Sequence, residues 1–315
     1  MRIIRSLADV TSDDRGAIAA VGNFDGVHLG HRAVIGQAQH AAHLAGAPAA
    51  VLTFEPHPRM LFQPDAPAFR LTTAAARAEA IAALGTNILF ELGFDMEFSH
   101  VSAEDFITDI LHRGLGLRHV VIGHDFFFGH RRRGTPEMLQ QYGIRLGFGV
   151  SIIDPVTEED GAVYSSSRVR QCLKEGDPRG AAALLGRPWE VAAEVIRGDQ
   201  RGRTIGFPTA NLQLEDIMHP AHGVYAVRAR DEESDAWWSG VANFGRRPTV
   251  NDRGPLLEVN LFDVSPDLYG RQLRVQFIDF IRPEMKFSGL DELKAQIARD
   301  ADAARQTLSD QRLTE

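Results

Sequence analysis

Lysine is almost missing from this chain: it occurs at Lys174, Lys286 and Lys294 and nowhere else. No G-x-x-x-x-G-K-[ST] loop can therefore form in the first half, and none occurs later. Any bound phosphate would have to be held by arginines, histidines and backbone N–H groups. Cys172 stands alone, which excludes an intrachain disulfide framework and a thiolate metal cluster and fits a reducing compartment. No apolar run approaches the ~20 residues a membrane helix needs. The opening MRIIRSLADVTSDD turns acidic before a signal-like core can form. The expectation is a soluble, cytoplasmic protein. A formal net charge of −8 supplies no overall basic footprint for nucleic acid. Neither nucleic acid nor membrane is an expected partner, and no feature indicates an oligomer.

What is there is an ordinary globular composition, 44% hydrophobic and 24% charged, over 315 residues. That length favours two domains. The first half alternates apolar runs (AIAAVGNF, AAVLTFEP, NILFELGF, RHVVIGHDF, GVSIIDPV) with amphipathic segments (HRAVIGQAQHAAHLAG, TTAAARAEAIAALG, SAEDFITDILHRGLG). This rhythm predicts an α/β domain with a parallel sheet and helices on both faces. Its ligands would lie beyond the carboxyl ends of the strands. After about residue 186 the strands GRPWEVAAEVIRG, GVYAVRARD, WWSGVANFG, LLEVNLFDV and LRVQFIDFIRPE follow one another with only turns between them. They predict an antiparallel β-barrel or sandwich, closed by the helix GLDELKAQIARDADAARQTL. The expected domains are 1–185 and 186–315.

The stretch VGNFDGVHLGH, residues 21–31, leaves a strand through Gly22, Asn23, Phe24 and Gly26. It then places His28 and His31 three apart, on one face of a starting helix. A helix start suits an anion, and two imidazoles there can donate to charge building up on phosphorus. By themselves the two histidines are equally compatible with a surface helix or a structural metal pair. TFEPHP (53–58), IGHDFFFGHRRRG (122–134) and YSSSRVR (164–170) follow later strands. Each alone reads equally as a solvated turn. Their common place at one sheet edge gives them weight. In the second half, RGRTIGFPTANL (201–212) reads as a glycine-rich turn carrying Thr209 and Asn211, oxygen donors of the type a magnesium–phosphate complex uses; on composition alone an ordinary glycine–proline turn is the favoured reading. In LLEVNLFD, strand alternation puts Glu258 and Asn260 on one face. A carboxylate so placed is either solvent-facing or a general base for an alcohol.

GNFDGVHLGH, TFEPHP, GHDFFFG and SSSRVR resemble the nucleotidylyltransferase half of bacterial bifunctional riboflavin kinase/FAD synthetases. GFPTANL, LLEVNLFD, GVANFGRRPTV and RPEMKF resemble the riboflavin kinase domain of the same family, so the resemblance spans nearly the whole chain. It implies a Rossmann-like FMN adenylyltransferase domain followed by a riboflavin kinase barrel. ATP and Mg²⁺ would be used at both sites, riboflavin, FMN and ATP as substrates, and FMN and FAD as intermediate and product. His28 and His31 would assist attack on the α-phosphorus of ATP. Gly22, Asn23, Phe24, Gly26, Ser166, Ser167 and Arg168 would hold that ATP, and Pro56, His57, Pro58, Asp125, Phe126 and Phe128 would seat FMN. In the kinase, Gly202, Thr204, Gly206, Pro208, Thr209 and Asn211 would hold ATP. Thr209 and Asn211 would also bind the metal, and Glu258 would accept the proton of the ribityl hydroxyl. Three positions depart from the family pattern. Phe127 stands where arginine is frequent, a role Arg131, Arg132 or Arg133 could take over. Ser167 replaces threonine, and Asn260 replaces histidine. The competing readings are a kinase whose adenylyltransferase half is inactive, a flavin-binding protein without turnover, and an adenylyltransferase acting on a non-flavin substrate, which leaves the second half unexplained.

Overall fold

The computed structural model describes residues 1–158, 161–197, 207–245 and 255–311. The chain forms two compact units, one of residues 1–67 and 73–165, the other of 68–72 and 166–315.

The first unit is built on six parallel strands: β1 (Arg2–Ile4), β2 (Ile18–Val21), β3 (Ala49–Glu55), β4 (Ile88–Gly93), β5 (His119–Gly123) and β6 (Gly149–Ile153). Their order is β1-β4-β3-β2-β5-β6, and every neighbouring pair runs parallel. The strands are apolar on both faces because both faces are covered. One core holds Ile18, Ala20, Val51 and Leu89 against Ile35, Ala38 and Ala42 of α1 (Leu29–Ala45) and Ala78 and Ile81 of α3 (Ala74–Ala83). The short α2 (Pro58–Phe62) lies between these helices in sequence. The other core sets Val21, Leu52 and Phe90 against Phe106, Ile107, Leu111 and Leu139. Those residues come from a π-helix, Phe106–Gly114, and from α6 (Pro136–Leu146), with α4 (Met96–Ser99) and α5 (Ala103–Asp105) leading into the π-helix.

Helix ends follow the local chemistry. Gly46 closes α1 at φ 60° and Gly147 closes α6 at φ 83°, the left-handed region that only glycine enters without cost. The segment expected as an ordinary helix from Ser102 onward widens into i→i−5 bonding, Leu115 N–H donating to Ile110 O at 2.8 Å.

The second unit begins with α7 (Ser166–Glu175) and α8 (Pro178–Leu185), then closes six antiparallel strands into a barrel. These are β7 (Trp189–Ile196), β8 (Ala210–Gln213), β9 (Gly223–Asp231), β10 (Trp238–Gly245), β11 (Leu256–Leu261) and β12 (Gln272–Pro283). The barrel interior is filled by Trp189, Leu212, Tyr225, Phe244, Leu257 and Phe277, all buried. On the outer side, Val224, Ala226 and Val241 pack with Ala304 and Leu308 of α9 (Leu290–Gln311). Residues 68–72 belong to this unit for a visible reason: their carbonyls accept hydrogen bonds from it. Phe69 O takes Arg170 Nε at 2.7 Å, Arg70 O takes Met218 N at 2.9 Å, and Leu71 O takes Trp189 Nε1 at 2.9 Å.

Candidate functional sites

In the first unit, the loops after β2, β3 and β5 leave the carboxyl ends of three adjacent strands. This is where an open α/β sheet binds ligands. The loop after β2 turns sharply, with Phe24 at φ 51°, Gly26 at φ 83° and Val27 at φ 46°. Side chains rarely enter that region, and here tertiary packing holds them in it. Phe24 is buried in the core, and its ring meets the edge of His31 at 5.2 Å. His28 is 5% exposed and caps α1, its Nδ1 accepting the His31 N–H at 3.3 Å. The two imidazoles stack with centroids 3.6 Å apart. Because Nδ1 is the acceptor, the ring N–H of neutral His28 sits on Nε2. A methyl group on Gly30 would lie 3.2 Å from the His28 ring and 3.2 Å from Tyr164 O, so glycine lets both approach the head of the helix.

The loop after β3 carries Pro56, His57 and Pro58, with His57 Nδ1 capping α2 by accepting Arg59 N–H at 3.1 Å. In the loop after β5, Asp125 is exposed, and Phe126 and Phe128 stack at 5.5 Å. A bridge between Phe128 and Gly134 closes this loop. Phe127 is 45% exposed, and the Arg132 guanidinium lies 5.4 Å from its ring centroid. Ser166, Ser167 and Arg168 open α7 in the second unit. On the same helix the Cys172 thiol is pushed up by burial and by nearby Asp177, which makes it a poor nucleophile at neutral pH.

One residue that the sequence reading passed over stands behind these loops. Arg77 of α3 is 1% exposed and bonded to both Glu55 and Glu91. A lone arginine in an alanine-rich helix gives no sequence signal of its own.

In the barrel unit, Glu258 of β11 pairs directly with Asn211 of β8 and with Asn243 of β10, so the three side chains form a row on one face. The adjacent register, Leu212, Leu257 and Phe244, points into the barrel core. The carboxylate is therefore on the outer face. Asn211 is 4% exposed and lies on a strand, whereas the sequence suggested a turn. Its Nδ2 donates to Thr209 O at 3.3 Å, and Asn260 Nδ2 donates to Pro208 O at 2.7 Å, fixing the chain just before β8. Thr209 and Asn211 offer a hydroxyl and an amide oxygen two residues apart, hard oxygen donors of the kind Mg²⁺ takes. Gly202, Thr204 and Gly206 lie outside the described residues.

A parallel sheet with a histidine pair at its carboxyl edge, joined in one chain to a six-stranded barrel with a polar strand row, fits the class of two-domain, nucleotide-dependent transferases. Residues 10–168 match the FAD synthetase family and residues 185–308 the riboflavin kinase family. A bifunctional riboflavin kinase/FMN adenylyltransferase from Escherichia coli (strain K12) is 40% identical over 307 residues, covering 97% of each chain. The protein of that description from Bacillus subtilis (strain 168) is 39% identical over 293 residues, covering 91% of each. The chain belongs to the bifunctional riboflavin kinase/FMN adenylyltransferase family. A crystal structure from Streptococcus pneumoniae, described as a macrolide-efflux protein, superposes with a TM-score of 0.84 at 32% identity, covering 96% of this chain and 98% of that one. Among the described residues of the present chain, no helix is long and apolar enough to cross a membrane.

Proposed function

We propose that this chain makes FAD from riboflavin in two ATP-dependent steps, with residues 186–315 acting as the kinase and 1–185 as the adenylyltransferase, in the cytoplasm. In the first step the ribityl 5′-hydroxyl attacks the γ-phosphorus of ATP. Glu258 takes the hydroxyl proton, the new P–O bond makes FMN, and ADP leaves. In the second, a phosphate oxygen of FMN attacks the α-phosphorus of another ATP, and pyrophosphate leaves as FAD forms. His28 and His31 donate to the charge on the reacting phosphoryl oxygens. The backbone of Gly22, Asn23, Phe24 and Gly26 lies alongside the nucleotide, with Ser166, Ser167 and Arg168 on its phosphates. Pro56, His57, Pro58, Asp125, Phe126 and Phe128 hold FMN. Thr209 and Asn211 would bind magnesium in the kinase site, where the ion neutralises phosphate charge.

The observation that carries the adenylyl-transfer half is the stacked His28–His31 pair at the carboxyl edge of the sheet. The test is a chromatographic time course of the purified chain with riboflavin and MgATP. FMN rising first and FAD following is the expected result. FMN without FAD would leave a kinase with a silent adenylyltransferase. Flavin binding without either product would leave a carrier.

A further inference from the structure

Four acceptors converge on the buried guanidinium of Arg77. Its Nη1 donates to Asn23 O and Phe54 O, each at 3.3 Å. Its Nη2 donates to the carboxylates of Glu55 at 2.9 Å and Glu91 at 3.2 Å. Asn23 is in the loop after β2; Phe54 and Glu55 end β3, immediately before Pro56 and His57. Glu91 is in β4, is 5% exposed, and also accepts Arg5 Nε at 3.1 Å. Thr53 Oγ1 adds a second donor to Asn23 O, at 3.2 Å. One planar cation thus ties the ends of β2 and β3 to each other and to the neighbouring strand β4, and those two ends open the loops that face the proposed substrates.

We propose that Arg77 is a positioning residue for adenylyl transfer, holding the 22–26 loop and the 55–58 loop at a fixed separation. The inference rests on the adenylyltransferase reading above. Neutralising Glu91 alone would need only a point charge. A planar fork whose Nη1 reaches the carbonyls of Asn23 and Phe54 while Nη2 takes the carboxylates of Glu55 and Glu91 does more, because it sets the loop after β2 relative to the end of β3 from which the second loop starts. If the first loop holds ATP and the second FMN, Arg77 governs the approach of the FMN phosphate to the α-phosphorus. Misplacement of reacting groups by ~1 Å costs on the order of 100-fold in rate. The residue touches neither substrate in this scheme, so its removal should act mainly on kcat.

The experiment compares full-length wild type, Arg77→Lys and the double variant Arg77→Gln/Glu91→Gln. FAD formation from FMN and ATP and FMN formation from riboflavin and ATP are assayed separately, with thermal unfolding followed on each protein. Lysine keeps the charge and loses the fork; the double variant removes both buried charges together and avoids stranding Glu91. The expected result is a fall in adenylyl-transfer kcat of roughly 10- to 100-fold in both variants. Both KM values should stay within about three-fold and kinase activity at the wild-type level, in protein that remains folded at the assay temperature. Wild-type kcat in either folded variant would overturn the proposal, as would a loss of kcat that merely follows the fraction unfolded. Failure of the wild type itself to make FAD would bring down the adenylyltransferase reading, and this inference with it. That outcome is seen before any variant is compared.

Discussion

The amide N–H of His31 donates to Nδ1 of His28 at 3.3 Å, while the two rings lie at 23° to each other. One histidine therefore caps the helix that carries the other. The cap uses the Nδ1 lone pair, so the proton of the neutral ring is directed to Nε2. The hydrogen bond that starts the helix also selects the tautomer that can donate to a phosphate.

Cap and chemistry can be separated by substitution. His28→Ala should remove both, lowering FAD formation by roughly 10²- to 10³-fold and leaving FMN formation from riboflavin unchanged. His28→Asn restores a side chain that caps well, worth about 1 kcal/mol relative to alanine, without an imidazole. Thermal unfolding should show the stability recovered while adenylyl transfer stays lost. Recovery of activity in the asparagine variant would reduce His28 to a cap.

Glu258 gives the reciprocal result. Glu258→Gln preserves shape in the Asn211–Glu258–Asn243 row but cannot take a proton. Kinase kcat should fall by about 10²- to 10⁴-fold with adenylyl transfer from supplied FMN unaffected. A kinase that keeps its rate would exclude Glu258 as the base.

Gly129 tests the loop after β5. It has φ 70°, and a Cβ there would come within 2.6 Å of the Ala103 backbone. Gly129→Ala should therefore cost on the order of 1–3 kcal/mol, read as a lower urea midpoint. An unchanged midpoint would show that the loop can move away from Ala103 freely.

Acid should weaken the barrel through Asp231. Its carboxyl is held below the usual range by the hydrogen bond from Arg271, and next by the Glu233 N–H. The unfolded chain takes up this proton near pH ~4, before the folded barrel does. The stabilisation is therefore complete above that pH and is lost as pH falls through the folded value. Arg271→Met should lower stability at neutral pH and flatten its decline between pH ~5 and ~2. Parallel urea titrations of the two proteins would measure this; equal slopes would mean the pair contributes nothing.

The α/β half was legible because its strands are short apolar runs and its longer helices keep an apolar stripe. β1, with three residues, was too short to show a period. α6 carries its own signals, Thr135 as cap, Pro136 in the first turn and Gly147 at the end, but its polar run EMLQQYGIR directly follows the arginine-rich loop, which masks them. β8 was hidden for a different reason. Gly206 and Pro208 dominate its approach in the sequence, and Asn211 becomes a strand residue through pairing with distant segments, Glu258 of β11 and Ile196 of β7. Arg77 had no local signal, since its role depends on positions 23, 54, 55 and 91 arriving around it. The histidine pair was legible because its spacing and its geometry are set by the same turn of helix.

The strap at 68–72 makes the two chemistries harder to part than the order of their motifs suggests. A kinase fragment cut from the gene at residue 186 would omit Phe69, Arg70 and Leu71, whose carbonyls accept hydrogen bonds from Arg170, Met218 and Trp189. Trp189, buried in the barrel core, would keep its indole N–H with no acceptor from Leu71, at a cost of about 1–3 kcal/mol. The fragment would also begin after Arg170 and so lose that anchor with its partner. Neither unit is a single uninterrupted stretch of the chain: the five residues 68–72, flanked on both sides by the first unit, belong to the second.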